Sequence, residues 1–324
     1  MSTYAKPHLT YQQQLALIKS RGAACVDDAR AIRLLQSVGY YNLTGYLYPF
    51  RQPDPTGQGR LDQFEPGTNL TDVEALVAFD QRLRTQLLAG IQIVEVAICA
   101  RIAYVIGQRD KFGHVDRKCL DQKACTRRYS RGSKTDTAFN WWIAEYDRLQ
   151  ERAKKEPFVA HNLTRYGTPL PIWVAVEFFD FGAMSNLYQL LIYPDRQAIA
   201  NAAGVPHESA LRSWLKSLNH VRNVCAHNNR MWNRILMVRP SLTSQNLPKL
   251  LAHLGKQPND KPYPVIAITA HLANCLRPDA DWSQQMADVL SGFPAIQGRS
   301  ISEMGVPVTR QTEALWATSV KITK

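Results

Sequence analysis

From Leu70 to Gly107 the chain reads LTDVEALVAFDQRLRTQLLAGIQIVEVAICARIAYVIG, with no proline and one internal glycine, Gly90. Val73, Leu76, Val77, Leu83, Leu87, Leu88, Ile91, Val94, Ile98 and Ile102 recur at intervals of three and four. That period belongs to a helix, and an apolar stripe of such length must be covered by other elements. The neighbouring sequence supplies more helices. LTYQQQLALIKSRG opens on a capping-type Thr10 and stops at Gly22, and DDARAIRLLQSVG begins acidic and closes at Gly39. TAFNWWIAEYDRLQERAKK, PLPIWVAVEFFDFGAMSNLYQLL, YPVIAITAHLANCL and DWSQQMADVLSG continue the pattern. No alternating strand pair and no hairpin signal is evident. The expectation is an all-α bundle of roughly eight to ten helices. Residues 1–69 form an N-terminal helical segment with an aromatic turn, YYNLTGYLYPFR. Residues 70–280 form the helical core, with a basic loop at 109–134, and residues 281–324 form a C-terminal extension.

Charge narrows the function. The 324 residues carry a formal charge of +12, and Ser209–Asn259 holds eight Lys or Arg residues and no acid. Arg109–Lys134 holds nine basic residues against three acidic ones. Blocks of one sign persist where an anionic partner visits, and nucleic acid is the natural one. A membrane surface fits poorly, because no basic amphipathic segment with bulky exposed apolar residues occurs. The amino terminus lacks an apolar signal core and no apolar run of about 18 residues is read anywhere, so a soluble cytoplasmic protein is expected. The six cysteines form no C-x-x-C pair and read as free thiols. His114, Cys119, Cys125 and His161 match no compact zinc spacing, so no metal and no cofactor is expected.

Inside the acid-free window, NHVRNVCAHNNRMWNR (219–234) holds three arginines, two histidines and five asparagines. On one helix running from about Glu208 to Met237, Leu218, Val221, Cys225, Trp232 and Ile235 share an apolar side. Asn223, His227, Arg230 and Arg234 form a second stripe about 140° away, with Arg222 beside it. Guanidinium forks grip phosphate, imidazole among cations is pushed toward its neutral form and can take a proton, and asparagine can orient either group. Such a set suits attack of a ribose 2′-hydroxyl on its own phosphate. Spacing alone is weak: Arg109 and His114 have the same gap, but Gly113 interrupts them and no apolar stripe lies opposite.

RNVCAHNNRMWNR resembles the Arg-Asn-x-x-Ala-His signature of the bacterial abortive-infection Abi-like family, of AbiD and AbiF type, within the HEPN superfamily of α-helical ribonucleases. YYNLTGYLYPFR, FDQRLRTQLLAGIQIVEVAICARIAY and PLPIWVAVEFFDFGAMSNLY are similar to three further family segments, and together the likeness covers about residues 5–280. The resemblance implies a HEPN-type bundle with Arg222 and His227 as the R-x4-H catalytic pair and Asn223 as its polar neighbour. It implies a homodimer with a composite site, metal-independent cleavage leaving a cyclic phosphate and a 5′-hydroxyl, and a role as toxin or anti-phage effector. A small noncoding RNA restrains some members. Arg230, Asn233, Arg234, Glu95, Arg128 and Arg131 are expected to support or bind RNA, with Glu95 pairing an arginine of the motif helix. One departure stands out: Cys99 occupies a place where a basic residue is expected, and Arg101 lies about 200° round the helix from it. The alternative is a non-catalytic HEPN module that holds a structured RNA through the same basic residues. Tyr40, Tyr41, Tyr46 and Tyr48 read as a buried wedge rather than a base-stacking platform, and the loop from Arg117 to Lys134 as the better RNA contact.

Overall fold

A computed structural model describes residues 7–57, 59–131, 134–243, 245, 247–310 and 313–316. Its axis is α4 (Leu70–Gly107), which has the bounds that the periodicity predicts. Leu76, Phe79, Leu83, Leu87, Ile91, Val94 and Ile98 are fully buried along it, and α11 (Glu208–Ala226), α12 (Pro262–Leu276) and α13 (Trp282–Ser291) pack against it. By length and composition α4 could cross a bilayer, yet half of its most apolar window is buried by these neighbours. Gly90 has a packing reason. The indole of Trp282 lies over it, donating to the Gln86 carbonyl at 2.8 Å, and a Cβ there would stand 2.3 Å from the ring.

The amino-terminal helices form as the caps dictate. α1 (Tyr11–Ser20) has a full capping box between Thr10 and Gln13, and α2 (Asp28–Val38) is capped by Asp27. The aromatic segment is not a turn but a helix, α3 (Tyr40–Leu47), because Leu43, Tyr46 and Leu47 fall on one buried face. The expectation of no strands is corrected as well. β1 (Arg51–Pro53) pairs antiparallel with β2 (Arg60–Phe64), and β3 (Arg128–Arg131) with β4 (Lys134–Thr137). Both ladders are too short to show a period of two. The second turns part of the expected basic loop into a hairpin, which follows the short α5 (Gln122–Thr126) and leads into α6 (Ala138–Ala153).

After α7 (Pro157–Tyr166), the expected single helix around PLPIWVAVEFFDFG is broken. α8 (Ile172–Ala175) ends in a 3-10 turn, and α9 (Phe181–Leu190) starts afresh where Asp180 accepts the Ala183 N–H at 2.9 Å. α10 (Tyr193–Ala202) then leads to α11. The C-terminal segment is tied down by Trp282 over α4 and by Phe293 against Phe79, ring centroids 5.0 Å apart.

Candidate functional site

The motif helix is shorter than its sequence suggests. α11 buries Leu211, Trp214, Leu215, Leu218, Val221 and Cys225 and ends at Ala226. Asn228 then takes a left-handed conformation (φ 55°), donating to the Cys225 carbonyl at 3.0 Å while Asn229 donates to that of Val224 at 3.0 Å. This pair of bonds is the Schellman ending, in which asparagine is the accepted substitute for glycine. His227 is left exposed at the C-cap.

Past the stop the chain is held by a residue that the sequence reading missed. Asp80, fully buried on α4, accepts the N–H groups of Met231 (3.1 Å) and Trp232 (2.5 Å), the Tyr46 hydroxyl (2.6 Å) and the Arg84 guanidinium. Its signal was present: an acid among Leu76, Phe79, Leu83 and Leu87 on an apolar face needs partners, since an unpaired buried carboxylate is costly.

The expected stripe of Asn223, His227, Arg230 and Arg234 is therefore not formed as one helical face. Arg230 donates to the Gly45 carbonyl, and burial lowers its pKa while Asp80 opposes that shift. Arg234 donates to the Arg230 carbonyl at 3.2 Å. Asn233 donates to Glu303 at 3.1 Å and accepts from Lys261 at 3.5 Å. All three are occupied in holding the loop. Trp232 is buried within that loop, whereas Ile235, expected on the apolar side, is exposed.

What remains on α11 is Arg222, half-buried, with Nη1 3.4 Å from Asn223 Oδ1, and His227 in the next turn. Among the described residues the Arg222 and His227 side chains share no hydrogen bond. Behind Arg222 stands α4. Burial raises the pKa of Glu95, the Arg222 charge lowers it and Asp180 raises it; Glu95 thus lies in the field of Arg222, but among the described residues the two form no ion pair. Cys99, one turn on, is buried, and its thiol is pushed up to about 12 by burial, Glu95 and Glu177. It is a neutral packing group. Arg101 turns back onto the Ala97 carbonyl at 3.3 Å and does not replace the missing cation.

Arg128 is exposed on β3, and the Arg131 side chain lies outside the described residues. Arg109 pairs with Asp195 at 2.5 Å and His114 is buried, so the look-alike pair is structural. Burial pushes His114 down to about 4. Cys119 lies with Asp110 and Asp116, Cys125 is buried, and His161 is exposed on α7. Tyr46 is the buried wedge, while Tyr41 and Tyr48 are exposed.

The model of the Abi-like protein family matches residues 33–233, more than half of the chain, which therefore belongs to that family. The match spans α3, α4, Asp80 and the whole motif helix, and the membership suggests a role in abortive infection. No curated protein and no solved structure matches the chain.

Proposed function

We propose that this Abi-like protein is a cytoplasmic, metal-independent endoribonuclease of HEPN type, acting as an abortive-infection effector. The observation that carries this reading is the end of α11, where Arg222, Asn223 and an exposed His227 stand in an acid-free stretch. In the proposed step the ribose 2′-hydroxyl attacks the adjacent phosphorus and passes its proton to a His227 imidazole. The P–O5′ bond breaks, an acid returns a proton to the leaving oxygen, and a 2′,3′-cyclic phosphate and a 5′-hydroxyl result. Arg222 steadies the extra negative charge on the phosphoryl oxygens. Glu95 acts as a positioning residue for that guanidinium.

One helix end supplies one imidazole, so both proton transfers are met by two copies of the chain, with a composite site between their motif helices. An unpaired apolar face beside Glu95 supports this. Val96 and Tyr104 on α4 are 68% and 67% exposed, and Trp173 (52%) lines one shallow depression with Tyr104. Exposed apolar patches of this kind mark association surfaces.

The deciding experiment is RNA cleavage by purified protein in a chelator, wild type against His227→Ala. Loss of a proton-transfer group costs about 10²- to 10⁴-fold in rate, with RNA affinity kept. Cleavage undiminished in the variant ends the catalytic assignment. RNA retention without cleavage by the wild type supports instead a module that only holds RNA, for which the exposed cations Arg117, Lys118, Lys123, Arg127 and Arg128 are the favouring observation. In that case charge reversal of these residues weakens binding broadly and flattens its salt dependence.

A further inference from the structure

On α11 the residues that share a face with Asn223 lie toward the amino end: Arg212, Lys216, Asn219 and Asn223 are spaced four, three and four. The polar stripe expected to run forward into Arg230 and Arg234 thus runs backward, and it leads into a cleft of about 330 Å³. The cleft is walled by α11, by α9 and by the β3–β4 hairpin with the start of α6. We propose that it is a nucleotide pocket, holding one nucleobase and its phosphate a short way along the strand from Arg222. The inference rests on the RNA reading above and adds a subsite to it.

The lining has the chemistry of such a ligand. Arg127, Arg212 and Lys216 converge on the cleft, and Lys216 has no ion-pair partner among the described residues. Arg212 has only a loose one, 3.8 Å from Glu208. The acid in the lining, Glu145, is gripped by Arg148 through both oxygens at 2.5 and 2.9 Å. The net field in the cleft therefore favours a phosphate.

Tyr129 and Trp141 give the cleft aromatic walls held by contacts within the hairpin and the start of α6. Arg127 donates to the Tyr129 hydroxyl at 3.2 Å, the Trp141 indole donates to the Tyr129 carbonyl at 3.3 Å, and the Lys134 ammonium lies 5.2 Å from the Trp141 ring centre. Aromatic rings interleaved with cations are how base-tolerant single-strand sites are built. The Asn186 amide offers a donor and an acceptor to a base edge, and Gln189, whose amide nitrogen already donates to the Ser185 carbonyl at 3.0 Å, adds its carbonyl oxygen.

Gly182 links pocket and site. A Cβ there would stand 3.2 Å from Asp180 Oδ1 and 3.5 Å from Asn219 Nδ2, so glycine lets this edge of the cleft lie close against Asn219 of α11. From Lys216 to Asn223 is about 10 Å along the helix axis, room for a short run of nucleotides.

The test is calorimetric titration of the full chain with three probes: adenosine 5′-monophosphate, inorganic phosphate, and a 2′-O-methyl oligoribonucleotide, which binds but cannot be cleaved. The mononucleotide is expected to bind measurably tighter than phosphate. Trp141→Ala and Lys216→Ala are each expected to weaken it about tenfold, with Trp141→Phe keeping most of the affinity. Should Trp141→Ala fail to fold, the exposed Lys216→Ala decides. Equal affinity for mononucleotide and phosphate, or unchanged mononucleotide affinity in Lys216→Ala and Trp141→Ala, overturns the pocket. Oligonucleotide affinity that falls in the same variants assigns it to a link of the RNA strand. Oligonucleotide affinity that holds while mononucleotide binding is lost assigns it to a free nucleotide. The nuclease reading fails separately, in the cleavage assay of His227→Ala, which does not touch the mononucleotide titration.

Discussion

Asn228 carries the turn that ends the motif helix beside His227. Its positive φ lets the chain leave α11 just past the C-cap His227 and turn toward Asp80. A β-branched side chain cannot adopt that conformation cheaply. Asn228→Val is expected to cost on the order of 1–3 kcal/mol in chemical denaturation and to lower RNA cleavage by displacing His227. Asn228→Gly should be neutral or better in stability. Cys99 is the opposite case at this scale: a buried thiol held neutral, where a cation was expected, leaves Arg222 with Glu95 as its charged neighbour on α4. The arginine was legible in the sequence because its neighbours lack acids. Its setting was not, because Glu95 lies 127 positions earlier and only packing brings the two helices together.

Single elements here are joined by a few buried polar groups. Asp80 ties α3, α4 and the loop after α11 into one network, and truncating it leaves the Met231 and Trp232 N–H groups without their acceptor and Arg84 without its counter-charge, with only the Tyr46 hydroxyl at 3.0 Å. Asp80→Ala is expected to cost about 3–5 kcal/mol, the price of stranding a buried charge, read as a lowered denaturation midpoint. Unchanged stability would remove Asp80 from its proposed role as anchor. Helix periodicity and caps made α1, α2 and α4 readable from the sequence, because both signals are local. α11 was over-extended past Ala226 since HNNRMWNR still offers apolar residues at helical intervals. Its true path depends on hydrogen bonds to a carboxylate 151 residues away from Met231. The β3–β4 hairpin was missed because four-residue strands of charged and hydroxyl side chains carry no apolar alternation.

For the whole molecule, pH and association are the global variables. His114 has both ring nitrogens buried without a hydrogen-bond partner among the described residues, and burial holds its pKa at about 4 against an ordinary value of 6.5. The unfolded chain then binds the proton that the folded chain refuses. Stability is therefore expected to fall as pH drops from about 6.5 to about 4, by up to about 3 kcal/mol from this group. His220, His253 and His271 are shifted in the same direction, so His114→Leu should shallow the slope without abolishing it. An unchanged pH profile in that variant would refute the assignment. Association is tested at the exposed face of α4. Val96→Asp should leave the monomer folded, convert a dimer to monomer in sedimentation, and abolish cleavage although Arg222 and His227 are intact. Full activity from a monomer would rule out a composite site.

The sequence by itself determined the helical class, the span of α4, the amino-terminal caps and the acid-free turn that carries Arg222 and His227, since each is a property of residues within a few positions of one another. Only the tertiary structure decided which arginines of the motif reach solvent and where its polar stripe leads. Burying Asp80 bends the chain after Ala226, draws Arg230, Asn233 and Arg234 into internal bonds, and leaves the opposite end of the stripe, at Lys216 and Arg212, facing an aromatic cleft. That choice is made by contacts between distant segments competing for the same few hydrogen bonds.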